Sequence, residues 1–481
     1  MNPSTTSGEI AVRMYRGILG DCFLLRYAQK GKIRHILIDC GVLQGVAGAR
    51  ERMKLIVEDI HQTSNGILDL VVLTHEHHDH LSGFLYERER FFKGDFRIDE
   101  LWLAWTEDPN DAQAIALHAR FDKAKSALAR VAAIRETASA LSNDPRIGTV
   151  HSLAAFMGLR VDDKEVLPRD GRAVIESLKS KAGPLATRYL EPGDVVRPAA
   201  AKSLKAMVLG PPRSEQRLRK DLPSKGAGKE VYLVSLDEAL ALEDRVRRLA
   251  DERPQDPDLP FAPPKQRGLA DVERDLSPSL ANPGSPVGVE ERYFNDQEEW
   301  RRIEDEWLDS AETLALKMDS DTNNTSLVLA FELPDGQTLL FPGDAQVGNW
   351  LSWGDQTYPR EAVQGQPAPQ TRDDILSRVT LYKVGHHCSH NATLRGLGLE
   401  KMTDPRLVAM IPVVAEVARS NEWNMPYPDL LGALQERTRQ RILAGDGNPE
   451  EEEKAFRNAP IDPVDLAYGP DALWVELRIP F

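Results

Sequence analysis

The chain has 481 residues, an ordinary globular share of hydrophobic side chains, three cysteines and a formal net charge of −15. That length implies one large domain with insertions, or two domains. Cys22, Cys40 and Cys388 are too few and too scattered for a disulfide framework or a cysteine-type zinc site, and they point to a reducing, cytoplasmic setting. The acidic balance disfavours broad nucleic-acid binding without excluding a nuclease, whose metal site and local basic patch supply their own attraction. Residues 1–8 lack a signal-peptide pattern and no apolar run approaches membrane-spanning length, so no membrane contact is expected.

Residues 10–27 alternate and then run apolar around Gly17 and Gly20, which predicts a strand, a glycine turn and a second strand. A short strand follows over 35–39, ending at Asp39. Residues 51–61 have helical spacing, with Met53, Ile56 and Ile60 on one side. The apolar run 68–73 predicts a strand covered on both faces, leading into Thr74-His75-Glu76-His77-His78-Asp79-His80. Alanine-rich residues 111–141 predict a helix inside a helical insertion at about 108–146, and residues 174–181 predict another helix. A strand over 204–209 ends in Gly210-Pro211-Pro212.

The character then changes. Residues 213–229 carry six basic and two acidic side chains, and residues 251–290 hold eight of the 32 prolines. Such a proline-rich stretch predicts an extended or disordered loop. Residues 291–318 read as an amphipathic helix with Trp300, Ile303, Trp307, Leu314 and Met318 on one stripe, a packing face or a surface for a protein partner. The region 213–320 is therefore expected to be an insertion between residues 1–212 and 321–481 of one domain. Strands are predicted again over 326–333, 338–341, 379–384, 407–414 and 473–479, with a turn at Pro334-Asp335-Gly336 and a helix over 430–443.

Seven of the eleven histidines fall in two clusters, His75, His77, His78, His80 and His386, His387, His390. Each cluster follows an apolar strand, and so do Asp39 and Asp344. Four strand ends thus deliver imidazole or carboxylate groups, placing one site at a sheet edge. In an extended loop His75 and His77 point the same way and can grip one ion, while Asp79 and His80, past the next bend, can address a second. Such donors suit Zn²⁺ first, then Mn²⁺ or Fe²⁺. Two ions roughly 3.5–4 Å apart, bridged by Asp344, can hold a hydroxide nucleophile and stabilise a leaving oxygen.

The ordered set His75-x-His77-x-Asp79-His80, Asp39, Asp344 and His386 resembles the metallo-β-lactamase-fold hydrolases. Gly20-Asp21-Cys22-Phe23-Leu24-Leu25, Asn323-Asn324-Thr325-Ser326-Leu327 and Lys383-Val384-Gly385-His386-His387-Cys388-Ser389 are similar to the competence DNA-uptake (ComEC-like) branch. The resemblance implies an α/β fold, the αββα sandwich of two mixed sheets, with the insertion helical or disordered. It implies that His75 and His77 bind the first of two divalent ions, that Asp79 and His80 bind the second, that Asp344 bridges and that His386 completes the site. Asp39 would brace the histidine loop, and His78 would point away. Asp79 and His387 would serve catalysis, His387 as a proton donor or substrate contact. Lys383, Ser389, His390 and Asn323 are candidate substrate contacts. Two departures stand out: no histidine follows the strand ending at Gly210, where the family carries a third, and Cys388 replaces a glycine of the branch. The missing histidine makes the first site the weaker one. The implied function is metal-dependent hydrolysis by a metal-bound hydroxide, foremost as a phosphodiesterase or nuclease acting on a nucleic acid or nucleotide. The alternatives are a hydrolase of a lactone, thioester or other carbonyl substrate, or a binding or effector subunit that keeps the metal site.

Overall fold

The structure is a computed structural model that describes residues 8–43, 46–134, 157, 171–220, 306–359, 369–421, 423–459 and 465–481, with only the backbone course given for 127–134 and 306–314. Chain contacts define two units. Met1–Phe121, Ser152–Val231 and Lys317–Phe481 form the first, which holds every described strand. Asp122–His151 and Tyr232–Leu316 form the second, described over 122–134 and 306–316, both helical.

Two mixed sheets face each other in the first unit. One has eight strands: Asp465–Tyr468 (β16), Trp474–Pro480 (β17), Glu9–Tyr15 (β1), Cys22–Gln29 (β2), Lys32–Cys40 (β3), Leu70–Val72 (β5), Leu101–Ala104 (β7) and Thr187–Leu190 (β8), in that spatial order. Pairing is antiparallel from β16 to β3 and parallel from β3 to β8. The other has seven: Ile442–Ala444 (β15), Val408–Ile411 (β14), Val379–Lys383 (β13), Thr338–Phe341 (β12), Val328–Glu332 (β11), Lys205–Gly210 (β10) and Val195–Val196 (β9). It is parallel from β15 to β12 and antiparallel from β12 to β9. Ile67–Leu68 (β4) and Arg97–Ile98 (β6) form a small separate pair.

Strand alternation explains the layers, because successive side chains point to opposite faces. On β10, Ala206 and Val208 join the core between the sheets, while Met207 and Leu209 join the outer cluster with Trp350, Trp353 and Leu434. On β2, Phe23 and Leu25 point inward, and Leu24 points outward against Met53, Ile56 and Ile60 of helix α1 (Ala49–Ser64). Phe23 meets Phe341 edge to face across the sheets, ring centroids 5.7 Å apart. The layers are therefore helix, sheet, sheet, helix, as expected. Among the described residues, no helix is long and apolar enough to cross a membrane.

Two local readings change. The helix expected over 430–443 spans Pro428–Thr438, and residues 442–444 form β15 instead. Arg439 and Gln440 both take left-handed backbone, which stops the helix and turns the chain into the sheet. The loop expected over 75–80 becomes helical at His78, the first residue of α2 (His78–Tyr86). Residues 135–146 of the first helical insertion, His151, the proline-rich stretch 251–290 and Trp300 lie outside the described residues, as do the side chain of Trp307 and residues 221–229 of the basic stretch.

Candidate metal centre

Four strand ends meet at one edge of the sandwich. Asp39 is the last residue but one of β3, and its φ of 53° bends the chain sharply. β5 leads into Thr74 and His75, and this loop is tied to the second sheet by Leu327 N–H, which donates to Thr74 O at 2.8 Å. β12 leads to Asp344. β13 leads to His386, His387 and Cys388, all three with positive φ. Consecutive non-glycine residues in that region are strained and persist only where the surroundings enforce them. The 79–80 peptide lies so close to Gly41 that a Cβ there would stand 2.2 Å from the Asp79 carbonyl, so this position admits only glycine.

The left-handed turn after β13 decides which histidine enters the centre. His387 Nδ1–H donates to Pro412 O at 2.8 Å, which aims Nε2 at Asp79 Oδ2, 2.9 Å away, and at Asp344 Oδ2, 3.6 Å away. His80 Nδ1–H donates to Asp39 Oδ2 at 2.8 Å, and its Nε2 stands 3.2 Å from Asp344 Oδ2 and 3.7 Å from Asp79 Oδ2. Asp39 also accepts from Thr74 N–H at 2.8 Å and Thr74 Oγ1 at 2.7 Å, so it braces the loop as expected. Asp344 Oδ1 accepts from His386 N–H at 3.0 Å and from Lys383 Nζ at 3.1 Å, which leaves Oδ2 facing the two imidazoles.

Donor atoms of Asp21, His80, Asp344 and His387 lie within 4.8 Å of one another, and all four residues are buried. Asp21 carried no role in the sequence reading beyond its place in a motif. Its Oδ2 is paired with the Lys383 ammonium and Asp79 Oδ2 with His387 Nε2, and the second oxygen of each, Asp21 Oδ1 and Asp79 Oδ1, is buried without a hydrogen-bond partner. Asp79 Oδ2 faces both His80 and His387, which makes Asp79 a further candidate donor beside these four. His80 Nε2 and Asp344 Oδ2 are likewise buried without an aligned hydrogen bond. Buried polar atoms left this way cost about 1–3 kcal/mol each, and a missing ion is a standard reason for them. The donor set therefore fits a divalent metal.

His75 and His77 sit beside this group. The ring of His75 lies 4.1 Å from that of His80 and 4.7 Å from that of His77, centroid to centroid. His75 Nδ1 is placed by Thr74 Oγ1 at 3.1 Å and Ser326 Oγ at 3.3 Å, and its Nε2 is buried without a partner. His77 Nε2 stands 3.9 Å from Asp319 Oδ1. At Gly210, where the strand ends without a histidine, a Cβ would lie 2.1 Å from Asn349 Oδ1, so a side chain there would require the Asn349 side chain to move.

Burial first, and then neighbouring histidines, hold His75 well below the usual imidazole range and His77 and His386 at about 4. The same burial acts on His80 and His387 but is outweighed by the carboxylates around them, so both are raised. Burial raises the Asp21 carboxyl against the pull of Lys383. Asp79 and Asp344 are lowered despite burial, by His80 and His387 and, for Asp344, by Lys383 first.

The remaining expected residues have other surroundings. His386 turns aside: its Nδ1 pairs with Ser389 Oγ at 2.7 Å, and its Nε2 lies 3.4 Å from Asn323 Nδ2. His78 Nε2 pairs with Tyr86 OH at 3.1 Å, away from the centre. Lys383 is 1% exposed and paired with two carboxylates, so it has no route to a substrate. Ser389 and Asn323 are also buried and act on His386. His390 is exposed and lines a surface pocket with Arg395 and Tyr427. Burial pushes the Cys388 thiol up to about 12, so it stays protonated near neutral pH. The described basic residues Arg213, Arg217 and Arg219 pair with Asp111 and Glu191, Asp355, and Glu215 respectively.

Residues 16–175 match the family model of the metallo-beta-lactamase superfamily. That span takes in Asp21, Asp39 and the 75–80 run, while Asp344 and His387 lie beyond it. No curated protein matches the chain.

Proposed function

We propose that the chain is a metal-dependent hydrolase, with phosphodiesters as the first substrate class to test. The observation that carries this reading is the convergence of buried donors, Asp79 Oδ1, His80 Nε2 and Asp344 Oδ2, that lack a hydrogen-bond partner, beside His387 Nε2. Oxygen and imidazole donors of this kind suit Zn²⁺, then Mn²⁺ or Fe²⁺. A bound divalent ion supplies Lewis acidity and lowers the pKa of water towards neutrality.

The chain's own residues supply the order such chemistry needs. Asp39 fixes the ring and tautomer of His80, and the Pro412 carbonyl does the same for His387. Lys383 locks one oxygen of Asp344 and leaves the other to the centre. His386, neutral near pH 7 and held by Ser389, sits beside these groups and can exchange a hydrogen bond or a proton with a substrate.

The choice of phosphodiesters rests on the similarity of the 20–25, 323–327 and 383–389 motifs to the competence-type branch. Lys383, Arg213, Arg217 and Arg219 lend it no support, since ion pairs engage them. The test is metal analysis with a nuclease assay and bis-p-nitrophenyl phosphate turnover, comparing wild type with His77→Ala, Asp344→Ala and His387→Ala. Metal-dependent turnover that collapses in Asp344→Ala and His387→Ala is expected. A metal-free protein, or turnover untouched by these changes, removes the hydrolase reading. Turnover of p-nitrophenyl acetate alone moves the substrate to the carbonyl class.

A further inference from the structure

Helix α3 (Glu306–Asn323) brings its last turns to the centre from outside the strand-end loops. Asp319 and Asn323 are four residues apart, so they share a helical face. Asn323 Nδ2 donates to Asp319 Oδ2 at 3.1 Å, which turns Oδ1 towards His77 Nε2, 3.9 Å away. That separation is too long for a hydrogen bond. It suits two donors on one ion, which at about 2.0–2.2 Å from the metal stand roughly 3–4 Å apart. His75, next to His77, has its Nδ1 engaged and its buried Nε2 without a partner. Asn323 is itself fully buried, so the carboxylate is set by a rigid neighbour rather than by solvent.

We propose that Asp319 is the third protein ligand of a metal position formed with His75 and His77, a helix-borne carboxylate standing in for the histidine that Gly210 cannot provide. The inference rests on reading the neighbouring His80 and His387 group as a metal centre, and it adds a second position to it. Asn323 acts as a positioning residue for Asp319. Two imidazoles and one carboxylate form a set that accepts Zn²⁺ and is more hospitable to Mn²⁺ or Fe²⁺ than three imidazoles would be.

The test is Zn²⁺ and Mn²⁺ titration of the metal-stripped full chain, with bound metal counted by elemental analysis. Wild type is expected to bind two equivalents. Asp319→Asn should keep the first at unchanged affinity and bind the second at least tenfold more weakly, as His75→Ala and His77→Ala should. Retention of the first equivalent shows that the variant is folded. A crystal of wild type grown with Zn²⁺ gives a readout that needs no variant, since anomalous scattering should place an ion within bonding distance of Asp319 Oδ1. Two equivalents of wild-type affinity in Asp319→Asn overturn the proposal. So does a wild type that binds one equivalent only, at His80 and His387, which leaves the hydrolase reading intact. A wild type that binds no metal overturns both.

Discussion

The two halves of the centre are built by different means. The half around Asp79, His80, Asp344 and His387 draws on three separate loops, and it is held by dedicated braces: Asp39 under His80, the Pro412 carbonyl under His387, and Lys383 under Asp344. The half around His75 and His77 draws on one loop and faces a helix, with Asp319 opposite His77. The first half gathers carboxylates around imidazoles, and the second is mainly imidazole. A tightly braced, charge-rich half should hold its ion more firmly than a half completed by one helix turn.

The largest effect should separate the two histidines after β13. His387→Ala removes a donor that faces Asp79 and Asp344, so turnover should fall by more than the roughly 100-fold typical of losing an outer brace. His386→Ala should cost less, since that ring bonds Ser389 and stands beside the centre. Equal losses in bis-p-nitrophenyl phosphate turnover would mean that both rings serve the same half.

Next in size is Lys383→Met. It removes the ammonium that pairs with both Asp21 and Asp344, and breaking a buried pair from one side costs about 3–5 kcal/mol. Urea unfolding of the metal-free protein should show that loss, and saturating Zn²⁺ should recover part of it by replacing the missing positive charge. A loss under about 1 kcal/mol would show that these carboxylates are protonated together in the metal-free fold.

Asp39→Asn comes third. Its carboxylate accepts from His80 and from Thr74, so the substitution should weaken Zn²⁺ binding in the first half by about 10–100-fold. Binding in the second half should change less, because Asp39 touches neither His75 nor His77 directly and reaches His75 through Thr74 and His80. Equal weakening of both equivalents would make the brace common property and dissolve the contrast between the halves.

Much of the first half was legible in the sequence, for a physical reason. Short apolar strands that end abruptly in Asp or His expose those residues at a sheet edge, and Asp39, the 75–80 run and Asp344 all carry that pattern. The choice between His386 and His387 was not legible. It depends on three successive left-handed residues, and nothing in Gly-His-His-Cys announces them. Asp319 is not legible either, because the apolar stripe of 291–318 dominates the pattern and ends just before it. The signal lay just beyond the stripe, in Asp319-Ser320-Asp321-Thr322-Asn323-Asn324-Thr325-Ser326, eight polar residues directly before an apolar strand, all of them buried. Asp21 shows the converse: the motif drew notice to it, but its partner Lys383 is 362 positions away and only the fold joins them.

The protonation states offer the subtlest comparison. In the metal-free protein His80 and His387 hold protons more tightly than usual, whereas His75 and His77 hold them less tightly, His77 down to about 4. An ion needs the imidazole lone pair, so filling the first half at pH 7 must displace protons, and filling the second need not. Calorimetric titration with Zn²⁺ in buffers of different ionisation enthalpy should therefore show proton release with one equivalent and little with the other. The signs carry over to stability. Raised values mean that His80 and His387 stabilise the metal-free fold fully below the ordinary histidine range and lose that contribution as pH rises through their own pKa. Lowered values mean that His75 and His77 cost stability as pH falls from about 6.5 towards 4. Metal-free protein should thus have opposing slopes from its two halves, and His77→Gln should remove part of the acid-side loss alone. If His77→Gln instead flattens the alkaline side, the proton is held by the pair His75 and His77, and the charge-rich half is not where the negative potential of the centre is concentrated.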